Sequence, residues 1–446
     1  MKSLKILVAF GILNFIAWNF AGIVVVVNIA LLFLFLDLQK EKNIFLRLLL
    51  GYIWLLIFNV SSLFWLIKVD GYDAILTLLA NALLFLPAIV VFYLVNSKYK
   101  YFLFITSYLV LEVVYSFWNL AFPWLNLGQV MGNQWYLVQW YSIVGAFGGS
   151  FWLLFSGLYL YKMMLSKNKN DTIYFTISLL LPLISIVQFT FFSYSRNTYT
   201  DIIKVIAYNP LSKTTKYNVT KEMYIKLSNK GSIDFVVTPE LFYEELYPSE
   251  LKEGIYADYF KFFHQKNPKT TFIIGTELFN NEKIKFNGIA AVTEHNTLFR
   301  TKKRYVPIRE YTPPLLRKWY SNYYQKNNND DESKMIELTK IFPLVCYESI
   351  FTTFVASKSQ NVGALFLLTS ERFMNGSDFG KRQYLNIVRL RAIENNKPIL
   401  KVSDDGISCL LLPNGSIETY IVNEIEEVEI ELSPKQSMYS KIINGL

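Results

Sequence analysis

The placement of charge constrains this chain more than any other property. Up to Arg196 there are 12 Lys/Arg and 6 Asp/Glu, against 32 and 29 in the remaining 250 residues. The two stretches are therefore suited to different solvents. Uncharged runs extend from Ile6 to Leu36, Leu48 to Ile67, Ala74 to Ser97 and Thr172 to Ser195, and the 61 residues between Lys100 and Lys162 carry only Glu112. A helix crossing about 30 Å of hydrocarbon needs roughly 20 apolar residues. One helix from Ile6 to Leu36 would be about 46 Å long, so this run is expected to be a hairpin turning near Trp18, Asn19 and Gly22. The Glu112 stretch divides into spans at about 101 to 119 and 139 to 161, separated by Pro123, Asn126, Gly128, Gly132 and Asn133. The expectation is a membrane α-helical bundle of seven spans over residues 1–196.

Lys/Arg asymmetry orients such a bundle. With a cytoplasmic N-terminus, the inner segments carry Lys2, Lys5, Lys40, Lys42, Arg47, Lys98, Lys100, Lys162, Lys167 and Lys169, and the outer loops only Lys68. An odd number of spans then puts residues 197–446 on the outer face. The chain ends Lys441-Ile-Ile-Asn-Gly-Leu446, too short to span, which predicts an outer C-terminus. A cleaved signal peptide is disfavoured, because no small-x-small site and polar mature region follow residue 25. Glu112 reads as functional or paired inside the bundle, the alternative being a protonated or interfacial acid beside Tyr115 or Trp118. Trp118 to Trp140 reads as an aromatic interfacial or re-entrant loop.

Beyond Lys204, short β-branched runs alternate with amphipathic stretches. Strands are expected at 204–208, 233–238, 270–275, 288–293, 341–346, 363–369, 398–403 and 407–413, and helices at 214–229, 256–266 and 380–396. The pattern implies an α/β layered domain large enough for its own core. Asn327 to Lys334 reads as a solvated loop. The net charge of +9 divides as +6 and +3, with no acid-free Lys/Arg block in the second stretch, which argues against a nucleic-acid partner. No phosphate-binding glycine motif occurs, and the only histidines, His264 and His295, read as surface residues. Metal sites and His-based hydrolases are thereby weakened, and no cofactor is expected.

The two cysteines could form a disulfide in an oxidising compartment. Cys409 lies in Ile407-Ser-Cys-Leu-Leu-Leu412 and reads as core, whereas Cys346 ends the apolar run Ile341-Phe-Pro-Leu-Val-Cys346, where a strand can deliver a nucleophile to a loop. Three ordered segments accompany it: Thr238-Pro239-Glu240; Lys302 with Tyr305-Val306-Pro307 and Glu310-Tyr311; and Cys346-Tyr347-Glu348. This set resembles the Glu-Lys-Cys triad of the nitrilase, or carbon-nitrogen hydrolase, superfamily. The preceding spans narrow the resemblance to its membrane-embedded branch, the apolipoprotein N-acyltransferases of diderm bacteria. Phe122-Pro-Trp-Leu125, Asn209-Pro210, Arg389-Leu-Arg-Ala-Ile-Glu394 and Gly406-Ile-Ser408 add to it.

The resemblance implies an α-β-β-α sandwich on the periplasmic side of the inner membrane, with Glu240 as general base, Lys302 as oxyanion stabiliser and Cys346 as nucleophile. Glu310, Tyr347 and Glu348 would be supporting groups. Singly, Glu240 could be a loop acid and Lys302 part of the Lys302-Lys303-Arg304 patch, and Lys303 is the neighbouring alternative for the lysine. The implied reaction moves an acyl chain from a phospholipid donor, through a Cys346 thioester, to the α-amino group of a diacylglyceryl apolipoprotein. Leu315-Leu-Arg-Lys-Trp-Tyr320 and Leu241-Phe242-Tyr243 are candidate arms for the acyl chains, solvent-exposed loop packing being the alternative. The sequence departs from the family pattern at Thr369-Ser370-Glu371 and at Arg309. Two other readings are a membrane-tethered nitrilase-like amidase cleaving a C-N bond with water, and a catalytically silent scaffold or transporter; the intact triad opposes the silent scaffold, and the absence of paired hydropathy halves opposes the transporter.

Overall fold

A computed structural model describes residues 2–445 except 96, 119, 120, 167, 192–200, 211–214, 313–316, 320 and 327–329. The chain divides into two compact units, one of Met1–Ser193 with Phe373–Leu390, the other of Tyr194–Arg372 with Arg391–Leu446. A boundary at residue 196 alone would place Phe373–Leu390 with the second stretch.

The first unit is helical: α1 Lys2–Asn19, α2 Val25–Leu38, α3 Ile44–Leu63, α4 Leu66–Leu94, α5 Lys100–Ser116, α6 Tyr141–Leu165, α7 Lys169–Ser178 and α8 Leu180–Phe191. The run from Ile6 to Leu36 breaks after Asn19, with a single 3-10 turn at Gly22–Val24 between α1 and α2. α7 and α8 are separated because Pro182 has no N–H to offer the Ser178 carbonyl and its ring crowds that oxygen. Among the described residues, Ile44–Leu63, Gly71–Leu94, Tyr141–Leu165 and Lys169–Phe191 are long and apolar enough to cross a membrane, while Ser3–Asn19 and Gly22–Leu38 are apolar but shorter.

Within the expected aromatic loop, Pro123–Leu125 and Leu127–Leu137 form 3-10 turns, with Trp124, Leu125, Val130 and Met131 buried, while Trp118 is exposed. Glu112 anchors it. Its fully buried carboxylate accepts from Leu127 N at 2.5 Å and is hydrogen-bonded to Ser150, whose Oγ in turn accepts from Gly128 N at 2.8 Å. A Cβ at Gly128 would lie 2.0 Å from the Ala146 carbonyl oxygen, so only glycine allows this approach. Within the same unit, Gln383 satisfies a buried polar seam. Its Oε1 accepts from Trp65 and Trp124, both at 3.1 Å, and its Nε2 donates to Asn19 Oδ1 at 3.0 Å and the Ser62 carbonyl at 2.9 Å.

Among its described residues the second unit has twelve strands: β1 Ile202–Tyr208, β2 Phe235–Val237, β3 Tyr243–Leu246, β4 Thr271–Phe279, β5 Lys285–Val292, β6 Thr297–Thr301, β7 Ile341–Val345, β8 Ala364–Ser370, β9 Ile399–Asp404, β10 Ser408–Leu411, β11 Ile417–Ile421 and β12 Ile425–Glu431. One sheet runs β12-β1-β2-β4-β5-β6, with β3 also on β4; the other runs β11-β10-β9-β8-β7. β1-β2-β4 and β7-β8-β9 are parallel, and the outer pairings are mostly antiparallel. Ile206, Val236, Phe272 and Ile274 form one cluster with Val219, Met223, Phe260 and Phe263 of two helices. The intervening Phe235 instead meets Phe366 of the other sheet at 5.4 Å, as the two-residue alternation of a strand requires.

Three sequence expectations are corrected. His264 is buried, 3% exposed, with Nε2 2.9 Å from the Thr270 carbonyl, because its helix turns this position onto the sheet. Phe242 and Tyr243 are core residues, 6% and 1% exposed, and not an arm; Leu315, Leu316 and Tyr320 lie outside the described residues. The acidic run is not merely solvated: a helix begins at Glu332, and Asp330 accepts from Lys303 Nζ at 2.6 Å and from Thr301 N at 3.1 Å.

Candidate functional site

The candidate residues lie at or just past strand ends, three of them on the parallel strands β2, β7 and β8 and one on the antiparallel β6. β2 leads to Glu240, β6 to Lys302, β7 to Cys346 and β8 to Ser370. Cys346 has φ of +41°, a left-handed conformation that costs a β-carbon-bearing residue energy and persists only where neighbours enforce it. Glu348 does the enforcing. It is fully buried, and its Oε2 accepts from Val345 N at 2.8 Å while Oε1 accepts from Lys303 N at 2.7 Å. Both oxygens also take the guanidinium of buried Arg300, at 2.8 and 2.9 Å. Arg300 reaches Glu332 at 2.9 Å, and Glu332 meets Lys358 at 2.6 Å. The turns after Lys302 and before Cys346 are thus fastened to one carboxylate.

Within that frame, Lys302 is 1% exposed, and its Nζ lies 3.0 Å from Glu240 Oε1 and 2.8 Å from Glu310 Oε1. Asn287 Nδ2 donates to the same two carboxylates, at 2.7 and 3.2 Å, and Ser370 N donates to Glu240 Oε2 at 3.0 Å. Glu310 Oε2 accepts from Val306 N at 2.7 Å. Cys346 is hydrogen-bonded to Glu240. Lys303 points elsewhere, to Asp330, since successive residues of an extended segment face opposite ways.

The electrostatics follow from burial among these charges. Burial would lower the Lys302 ammonium, but Glu240 and Glu310 hold it well above the usual lysine range. Burial raises Glu310, against the pull of Lys302. The Cys346 thiol is pushed well above the ordinary cysteine range by burial and by Glu240, with Lys302 opposing. The resting sulfur is therefore protonated beside a carboxylate that can take its proton, and a fixed cation lies next to both.

Glycine sets the position of Glu240. A Cβ at Gly275 would fall 2.1 Å from the Pro239 carbonyl oxygen and 2.7 Å from Glu240 Cα. Gly275→Ala is expected to displace Glu240 and slow acylation of Cys346 by about a hundredfold, the scale of an ångström-sized misplacement; an unaltered acylation rate would show that the loop relocates freely.

The residues 205–428 match the family model for carbon-nitrogen hydrolases. The chain belongs to the carbon-nitrogen hydrolase family. It is an enzyme of that family, and residues 10–159 match a second model, the apolipoprotein N-acyltransferase N-terminal domain. Apolipoprotein N-acyltransferase of Rickettsia prowazekii is 25% identical over 425 residues, covering 88% of this chain and 84% of that protein. The Coxiella burnetii protein of the same name is 23% identical over 312 residues, 67% of this chain and 63% of its own length. Among solved structures, a carbon-nitrogen hydrolase from Helicobacter pylori aligns at TM-score 0.37 and 14% identity, covering 55% of this chain and 92% of that one. An amidase from Nesterenkonia sp. aligns at 0.35 and 12%, covering 54% and 92%.

Sequence reasoning missed Asn287, Arg300 and Ser370 as parts of this candidate site. Ser370 acts through its backbone N–H, which no side-chain motif reveals. Arg300 had a faint signal, a charge in the otherwise uncharged Thr297-Leu-Phe-Arg-Thr301. Both cysteines are free and buried, and Cys409 pairs within the β9-β10-β11 ladder. Of the supporting set, Glu310 contacts Lys302, Glu348 holds the turns, and Tyr347 packs on Phe351 at 5.4 Å between ring centres.

Proposed function

We propose that this enzyme is a phospholipid:apolipoprotein N-acyltransferase of the bacterial inner membrane, with seven spans and its carbon-nitrogen hydrolase domain on the periplasmic side. One observation carries the reading: a buried thiol–carboxylate–ammonium chain, Cys346–Glu240–Lys302, occurs in the same polypeptide as an apolar bundle matching the apolipoprotein N-acyltransferase N-terminal domain. The ten-to-one Lys/Arg asymmetry supports the orientation.

In this mechanism Glu240 takes the Cys346 proton as the sulfur attacks the acyl ester carbonyl of the phospholipid. Lys302, with a backbone N–H beside the cysteine, stabilises the oxyanion. The tetrahedral intermediate collapses, and Glu240 returns the proton to the leaving alkoxide, releasing a lysophospholipid and leaving a thioester. The α-amino group of diacylglyceryl-cysteine then attacks the thioester. Glu240 accepts its proton and returns it to the departing sulfur, so an amide and free Cys346 result. Glu310 and Asn287 keep Lys302 and Glu240 in register throughout. Because the thiol is held protonated by burial, proton transfer accompanies attack and no thiolate waits for water.

Mass spectrometry of lipoprotein N-termini from cells depleted of the protein tests this directly. The N-acyl group is expected to disappear and free α-amino diacylglyceryl-cysteine to accumulate; full N-acylation without the protein would overturn the assignment. The amidase reading instead requires purified enzyme to release a free acid or ammonia with no acceptor amine present.

A further inference from the structure

A second cationic feature adjoins the nucleophile and has no task in the acyl-transfer steps. Arg304, two residues past Lys302, places its guanidinium carbon 5.1 Å from the ring centre of Phe351 and 5.8 Å from that of Phe354. Phe351 meets Tyr347, the neighbour of Cys346. On the other side, Tyr305 meets Tyr311 at 6.0 Å, and the Tyr311 ring has Lys326 Nζ at 4.3 Å and the Arg317 guanidinium at 6.0 Å. Arg304 thus rests on an aromatic cluster that reaches the neighbour of Cys346, and Lys326 on a second cluster that begins at Tyr305, the residue after Arg304.

Arg304 is half-buried, yet its guanidinium makes no hydrogen bond or ion pair with any described residue. The carboxylate that most favours its charge is Glu348, whose oxygens are already engaged by Arg300, Val345 N and Lys303 N. Arg300, by contrast, is matched by two carboxylates. Burial lowers both Arg304 and Lys326 below their ordinary ranges, and the Arg304 charge adds to the drop at Lys326. Two cations within each other's field, one with its fork of donors unspent, are suited to an anion with several oxygens.

We propose that Arg304 and Lys326 form a phosphate subsite for the phosphodiester of the glycerophospholipid whose acyl ester is attacked by Cys346. The proposal rests on the acyl-transfer reading and names the group by which the donor is recognised. In a glycerophospholipid the phosphate is joined to the acyl esters through one glycerol, so a single molecule can present an ester to Cys346 and its phosphate to the two cations. The second substrate, a diacylglyceryl peptide, lacks the phosphate, so the subsite distinguishes donor from acceptor.

The test uses the full-length protein in detergent and follows hydroxylamine-labile labelling of Cys346 by two donors with identical acyl chains, phosphatidylglycerol and diacylglycerol. The wild-type protein is expected to favour phosphatidylglycerol. Arg304→Met should raise the half-saturating concentration of phosphatidylglycerol about tenfold, with a much smaller fall in maximal rate, and bring the rate ratio of the two donors toward one. Lys326→Met should shift the same ratio less, and Arg304→Lys should restore part of it. Inorganic phosphate competing with phosphatidylglycerol in the wild type but not in Arg304→Met supports a site that also takes free phosphate. Lack of competition with the donor ratio still dependent on Arg304 supports a site for lipid-borne phosphate alone. Arg304→Met slowing both donors equally, or neither, overturns the subsite while leaving the acyl-transfer reading intact. Wild-type protein taking no label from either lipid overturns both.

Discussion

Cys346→Ser protein exposed to phospholipid with a labelled acyl chain is expected to carry no hydroxylamine-labile label, and N-acyl transfer should fall on the order of 10⁴-fold or more, the scale found when a nucleophile that works as a unit with its base is removed. Serine differs from cysteine by one atom, so the buried turn should survive and the loss should be chemical. Glu240 can polarise a hydroxyl, but an alkoxide is far harder to generate than a thiolate, and an ester would discharge less readily to an amine than a thioester. A labile adduct that persisted in Cys346→Ser would move the nucleophile elsewhere. The only other cysteine, Cys409, is fully buried in β10.

Glu348→Ala is expected to cost about 3–5 kcal/mol of stability, because it leaves the fully buried Arg300 guanidinium short of a partner. It also orphans Val345 N and Lys303 N. Thermal unfolding of the detergent-solubilised protein should show a large drop in midpoint. The conservative Glu348→Gln should recover part of it, since an amide oxygen can still accept one backbone N–H. Lys358→Met is the control: this half-exposed lysine touches the same network only through Glu332, so its effect should stay within about 1 kcal/mol. Equal effects from the two changes would show that the carboxylate is not what holds the turns of Lys302 and Cys346 together.

What was legible in the sequence was legible for local reasons. Apolar runs and lysine placement are properties of consecutive residues, so the helical stretches and their expected orientation could be read directly. Glu240, Lys302 and Cys346 stood out because each lies in a short motif at a strand end, and Glu310 because it follows Lys302 in the same motif. Other elements were harder. β12, Ile-Glu-Glu-Val-Glu-Ile-Glu, is rich in acid, yet Val428 and Ile430 face inward and pair with Val205 and Ile203 of β1; two-residue alternation was present but masked by charge. His264 looked exposed from its polar neighbours, and only the docking of its helix on the sheet buries it. The run through Asp330 and Glu332 looked like solvated loop because the cations that neutralise it, Lys303, Arg300 and Lys358, are distant in sequence.

By itself, then, the sequence determined that an apolar, helical first part is joined to a charged α/β part, and it singled out the residue types able to run cysteine acyl chemistry. Tertiary structure alone decided which lysine meets the carboxylates, since Lys302 and Lys303 are chemically equivalent and only strand direction separates them. It also decided that Glu348 braces the backbone while Glu310 contacts the lysine, and that among the described residues Arg304 is left with unspent donors while Arg300 is neutralised. The physical reason is the same in each case. A charge acquires its function from the groups packed within a few ångströms of it, and folding brings those groups from strands far apart along the chain.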